Sequence, residues 1–138
     1  MKAATMIYEG KVRGQGRPRF RRNGKAYETA QDRAYKKALA EAYKEQSGVW
    51  FGEAELVAVV EVERALPKSR PKRVTSEPDT FKPDADNIIK AVLDALNGVA
   101  FVDDKQVTAQ HVIKWPRTRK RESDLLTVEL REIEGGIE

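Results

Sequence analysis

The sequence predicts an α+β fold in a single compact domain. Three observations carry this. The patterned segments run β, α, β, α, β, β along the chain. The length of 138 residues suits one domain. A hydrophobic fraction of 40% is enough to fill one core.

Residues 4–8 are expected to form the first strand. Residues 10–25 contain Gly14, Gly16, Pro18 and Gly24 and read as a loop or irregular hairpin, with Asn23-Gly24 as its turn. Thr29 is the expected N-cap of a helix, and Asp32 three residues on gives a weaker form of the capping box. This helix should run to about Gln46 and stop at Ser47-Gly48. Ala34, Ala38, Leu39 and Ala42 give it a small apolar face, with Tyr35 and Tyr43 beside it. Residues 55–66 predict a strand, because Val57, Val59, Val60 and Val62 are β-branched and acids mark the exposed side. Residues 67–82 hold prolines 67, 71 and 78 and read as a loop that is mobile without a ligand.

The helix after Pro83 has the clearest pattern. Ile88, Ile89, Val92, Leu93 and Leu96 recur at helical spacing, with Asp86, Lys90, Asp94 and Asn97 on the other face. Asn97-Gly98 is a suitable stop, since both residues tolerate the left-handed conformation. Residues 107–115 and 125–133 predict two further strands. Residues 116–123 join them, so a hairpin is expected.

Composition narrows the function. The absence of cysteine excludes a disulfide framework, a thiol nucleophile and thiolate-bound zinc, and fits a reducing cytoplasm. The start has no apolar signal core, and no run approaches the roughly 20 apolar residues of a membrane span. A cytoplasmic protein with no membrane partner is therefore expected. Lys and Arg number 26 against 22 Asp and Glu, and 16 of those cations fall in three clusters, at residues 11–25, 68–73 and 114–121. Such concentration suits a polyanionic partner, although basic runs also serve as solubilising surface.

Against this basic background, Asp84, Asp86, Asp94, Asp103 and Asp104 gather around one short helix. Bringing like charges together is costly, and a divalent cation removes that cost. Carboxylates holding such an ion supply what phosphodiester hydrolysis requires: an activated water, neutralised charge on phosphorus and help for the leaving oxygen. A helix of about 10 residues is near 15 Å long. Residues 97–104 can run back that distance at about 3.3 Å per residue. Asp104 is thus expected to rejoin Asp84 and Asp86. Each fragment also has a plain reading: Asp84-Ala85-Asp86 as a helix cap, Asp103-Asp104 as a polar turn, and Asp86 with Lys90 as a surface pair worth a few tenths of a kcal/mol.

The strings Lys82-Pro83-Asp84-Ala85-Asp86-Asn87, Lys90, Asp94-Ala95-Leu96-Asn97-Gly98 and Asp103-Asp104-Lys105-Gln106-Val107 resemble the signature of the RusA family of Holliday junction resolvases. Gly16-Arg17-Pro18-Arg19 is similar to that family's N-terminal loop, and the resemblance covers residues 7–133. It implies a mixed β-sheet with two main helices, a homodimer, and Mg²⁺-dependent paired nicks that resolve a four-way DNA junction, with Mn²⁺ as a substitute ion and no small-molecule cofactor. It implies a bacterial, phage or prophage origin. Asp84, Asp86 and Asp104 match the metal-binding carboxylates and Lys90 the catalytic lysine. Gln15, Gly16, Arg17, Arg19, Lys82 and Asn87 are the implied DNA contacts. Where some relatives have an arginine run directly before the first aspartate, Phe81-Lys82-Pro83 stands here, with the cations upstream. Loop length before Asp103 varies among relatives, so Asp103 stays an alternative to Asp104.

His111 reads as a packed or edge-strand residue rather than a base. Phe101 and Trp115 suit core or interface. Phe20 and Tyr27 flank the arginine-rich loop, where one of them stacking on an unpaired base is the minor reading. Arg21, Arg22 and Lys25 suit sequence-independent phosphate contacts. Two other functions compete: a nuclease for flaps, forks or structured RNA, and a DNA-junction-binding protein without catalysis.

Overall fold

The structure, a computed structural model, describes residues 2–16 and 19–134. Arg17 lies outside the described residues. In chain order the elements are β1 (Ala3–Glu9), β2 (Arg19–Phe20), β3 (Ala26–Tyr27), α1 (Ala30–Gln46), β4 (Leu56–Glu63), β5 (Ser76–Glu77), α2 (Ala85–Leu96), a 3₁₀ turn (Asp104–Gln106), β6 (Val107–Lys114), β7 (Arg117–Thr118) and β8 (Leu125–Glu132). The α+β prediction and the mixed sheet hold.

The main sheet has the order β1-β8-β4-β6. Only the β4–β6 pair is parallel. Parallel neighbours need a crossover, and α2 supplies it. Met6, Val128 and Val60 form one cross-sheet row on the buried face, and Ala4, Leu130 and Ala58 form the next. One hydrophobic cluster joins this face to both helices.

The expected hairpin between the last two long strands does not form. The two strands pair with opposite edges of β4 instead. With Val57, Val60 and Val62 buried, β4 is apolar enough to lie centrally. The connecting residues cross its end, where Trp115 N donates to Val62 O at 2.9 Å and Thr118 N to Arg64 O at 3.0 Å.

Helix α1 has its expected limits. Thr29 caps it by accepting from Asp32 N at 3.1 Å, and Gly48 leaves it with φ +67°. Its buried stripe differs from the expected alanine face. Tyr35, Leu39 and Tyr43, four residues apart, enter the core, whereas Ala34 is exposed and Ala38 and Ala42 are half-buried. Larger side chains bury more apolar area per residue, so the rings win the inward positions.

Residues 67–82 are tied down without any ligand. β5 pairs with β7, and the Arg119 guanidinium donates to the carbonyls of Arg70, Pro71 and Val74. Arg70 and Arg117 both bond Glu77. Among the described residues no helix is long and apolar enough to cross a membrane.

Candidate active site

The site is built on the N-terminal end of α2, and two strands position it. At the end of β4, Arg64 donates twice to the buried Asp79 carboxylate, at 2.8 and 2.7 Å. Burial alone would raise the Asp79 pKa, but the Arg64 hydrogen bonds and the charges of Arg64 and Lys114 hold it below the ordinary value. At the end of β6, Lys114 Nζ donates to Phe81 O at 2.6 Å and to Pro83 O at 2.9 Å. The Phe81 ring lies 3.9 Å from the Arg117 guanidinium. The chain therefore enters α2 on a fixed path, through a cis Lys82–Pro83 peptide bond.

Asp84 caps α2, its Oδ1 accepting from Asn87 N at 3.0 Å. Asp86 lies in the first turn, and its Oδ2 stands 3.0 Å from Lys90 Nζ. Asp84, Asp86 and Lys90 are all solvent-exposed. At a helix N-terminus the dipole and free N–H groups favour carboxylates, and both of these face solvent.

The N-terminal arm lies against this end. Gln15 N donates to Asn87 O at 2.8 Å. Gly14 permits the approach, since a Cβ there would come 2.7 Å from Pro83 Cβ. A Cβ on Gly16 would meet Asp32 Oδ2 at 2.7 Å, and Asp32 in turn holds Arg13 at 3.2 Å. Lys11, Arg13 and Arg19 line a recess of about 500 Å³ that Pro83 also borders. Of the residues implied as DNA contacts, Gln15, Gly16, Arg19, Lys82 and Asn87 thus gather near the acid pair.

Asp104 does not rejoin Asp84 and Asp86. After Asn97 the chain turns tightly, with Gly98 N donating to Phe101 O at 2.8 Å and Ala100 N to Leu96 O at 2.9 Å. This leaves Asp103 and Asp104 at the C-terminal end of α2, about 18 Å along the axis from Asp84. The Asp103 carboxylate is engaged in a capping box with Gln106, and its pKa is lowered chiefly by the backbone N–H of Lys105. Asp104 behaves oppositely. Loss of solvent on one side, then the neighbouring Asp103 and Asp94 carboxylates, push its pKa up, with Asn97 beside it opposing the shift. Asp94 is neutralised by Lys36 at 2.5 Å. His111 is exposed on β6, an edge strand.

Among the described residues no three His, Cys, Asp or Glu side chains stand together as a cation site. The three-aspartate set does not fit one ion within a single chain. Asp84 and Asp86 do fit the commoner arrangement for Mg²⁺, in which one or two carboxylates act together with substrate phosphate.

Sequence reasoning missed Arg64, Asp79, Lys114 and Gly14. The cations could have been flagged by their place at strand ends, but their partners lie far off in the chain.

A basic arm beside exposed carboxylates suits a protein that cleaves phosphodiesters, and the family match shows that class. The model of the endodeoxyribonuclease RusA family matches residues 9–128, so the chain belongs to this family of Holliday junction resolvases. It is also similar to the uncharacterized protein YqaN of Bacillus subtilis (strain 168), with 33% identity over 117 residues, covering 77% of this chain and 82% of that one.

Proposed function

We propose that the protein is a homodimeric, Mg²⁺-dependent endonuclease that resolves four-way DNA junctions in the cytoplasm by paired nicks. One observation carries this reading: an exposed pair of carboxylates and a lysine, Asp84, Asp86 and Lys90, lies directly beside a basic arm. Acids facing a bound phosphate make sense only with a cation between them.

In this reading Asp84 and Asp86 hold the ion against the scissile phosphate. When bound, a divalent ion supplies an activated water and neutralises charge on phosphorus. Lys90, one helical turn from Asp86, would offer its ammonium group to the phosphate oxygens and favour the charge that builds in the transition state. Gln15, Gly16, Arg19, Lys82 and Asn87 position the strand, and Arg17 is a further DNA contact in this reading. Asp104 joins from the second copy of the chain, because within one chain it is too far from Asp84 and Asp86. Two equivalent strands are cut, which a two-fold dimer suits.

The test compares cleavage of a four-way junction, a fork, a linear duplex and a structured RNA in millimolar Mg²⁺. Paired nicks confined to the junction and abolished by EDTA are expected. Equal cleavage of forks or RNA would move the substrate to other branched nucleic acids, and tight binding without any nick would point to a binding protein.

A further inference from the structure

Apart from Arg19, the hairpin of β2 and β3 stands outside the machinery just described. Its register pairs Arg19 with Tyr27 and Phe20 with Ala26. The loop closes through Arg21 N to Lys25 O and Gly24 N to Arg21 O, both at 2.9 Å, and Lys25 N to Asn23 Oδ1 at 3.0 Å. Gly24 has φ +81°, and a Cβ there would meet nothing within 4 Å, so the tip stands clear of the body. A ribbon this short has little stability of its own. A side chain that helped to hold it would be turned inward.

Phe20 is turned outward. It is 68% exposed, more than any other large apolar side chain among the described residues, and it takes no part in the core cluster. Its neighbour Tyr27 is covered by the Arg21 guanidinium at 4.9 Å. Among the described residues no ring or cation covers Phe20.

Among the described residues none of the cations around it pairs with a carboxylate, although the Arg21 guanidinium lies over Tyr27. Arg19, Arg21, Arg22 and Lys25 are exposed and form no ion pair among the described residues. Lys68, Lys72, Arg73 and Lys120 are likewise exposed without an ion pair among the described residues, but five cations of the second and third basic clusters differ: Arg70, Arg117 and Arg121 hold carboxylates, Lys114 stands 3.6 Å from one, and Arg119 holds carbonyls. Those cations secure the fold, whereas the hairpin's are free for a polyanion. An uncovered aromatic face among uncommitted cations is the chemistry that takes a base by stacking and its phosphates by charge.

The geometry points to Phe20 as a stacking wedge that takes an unstacked base at the branch point of the DNA. A continuous duplex offers no such base without breaking a stack, so the contact selects branched over linear DNA. This rests on the proposed DNA-junction reading. The surrounding cations, in contrast, add affinity for any DNA.

The test uses full-length protein with Ca²⁺ in place of Mg²⁺, and a four-way junction carrying 2-aminopurine at the crossover or ten base pairs away. Wild type should change the emission of the crossover probe only. Phe20→Ala should abolish that change and reduce the preference for junction over duplex by about tenfold. Phe20→Trp should retain both, and Arg22→Ala with Lys25→Ala should weaken junction and duplex binding alike. The proposal is overturned if Phe20→Ala keeps the crossover signal and the preference. Phe20 is exposed, so that variant folds, and its thermal midpoint serves as the control. Wild-type nicking in Mg²⁺ is scored separately. A protein that gives the crossover signal without nicking would overturn the nuclease reading and support the wedge.

Discussion

The two ends of α2 both carry paired aspartates and use them in opposite ways. At the N-terminal end, Asp84 accepts a backbone N–H, Asp86 has Lys90 one turn on, and the basic arm lies alongside. At the C-terminal end, Asp94 is neutralised by Lys36 and Asp103 is engaged in capping, while Asp104 faces acids at the negative end of the helix dipole. The sequence motif is similar, but its surroundings decide its role. One end is a stable anionic platform that needs a substrate and an ion. The other is a carboxylate crowded by acids that needs a cation from elsewhere.

The largest expected effect joins the two ends. Asp86→Asn and Asp104→Asn should each lower junction nicking by roughly 10²-fold or more. Mixed after unfolding and refolding together, they should recover nicking well above either alone, because half-mutant dimers retain one intact composite site. No recovery would place both residues in a site of one subunit, or deny the dimer.

A second variant breaks the support of the N-terminal end. Asp79→Ala removes the buried carboxylate, leaves the half-buried Arg64 guanidinium without its partner, and should cost about 3 kcal/mol, read by denaturant unfolding. A loss below about 1 kcal/mol would mean that the segment entering α2 is held in some other way.

Gly14→Ala tests the arm more gently. The new methyl would press on the Pro83 ring, which cannot swing aside as a flexible chain end does. It should cost about 1–3 kcal/mol or displace the arm, with a matching loss of nicking. Unchanged stability and activity together would show that the arm need not lie against α2.

The smallest effect is a gain. Asp104→Asn should raise the thermal midpoint by about 2 °C near neutral pH, since it removes a carboxylate that the fold disfavours. The sign follows from the raised pKa. Between the ordinary value of 3.8 and the raised one, the native state binds more protons than the unfolded state, so wild-type stability falls as pH rises. The gap between variant and wild type should therefore close as pH drops toward 3.8. A variant less stable than wild type at pH 7 would contradict the crowding of acids at this end.

Some of this was legible in the sequence because it is local. Helix α2 follows from its apolar spacing and its Asp84 and Asn97 ends, and α1 from Thr29 and Gly48. The position of Asp104 was not legible. It depends on a tight turn at residues 97–101 made by backbone hydrogen bonds, which no side-chain pattern announces. The hairpin expectation failed for a related reason: β4, distant in sequence, competes for both partners and is more apolar than either edge could leave exposed. The Arg64–Asp79 bond and the Lys114 grip on residues 81–83 join side chains with no periodic relation. The acid cluster was legible from the residues themselves, the resemblance assigned the roles within it, and the structure gives its surroundings.

The most direct test of the N-terminal end as the catalytic centre separates binding from cleavage in Asp86→Asn. Wild type and variant are compared on one labelled four-way junction, by gel shift in Ca²⁺ and by denaturing gel in Mg²⁺. The account predicts that the variant binds the junction as tightly as wild type, or more tightly, because one anion facing phosphate is gone, and that it makes no nick. A variant that nicks at the wild-type rate would contradict it and move the chemistry away from Asp84, Asp86 and Lys90.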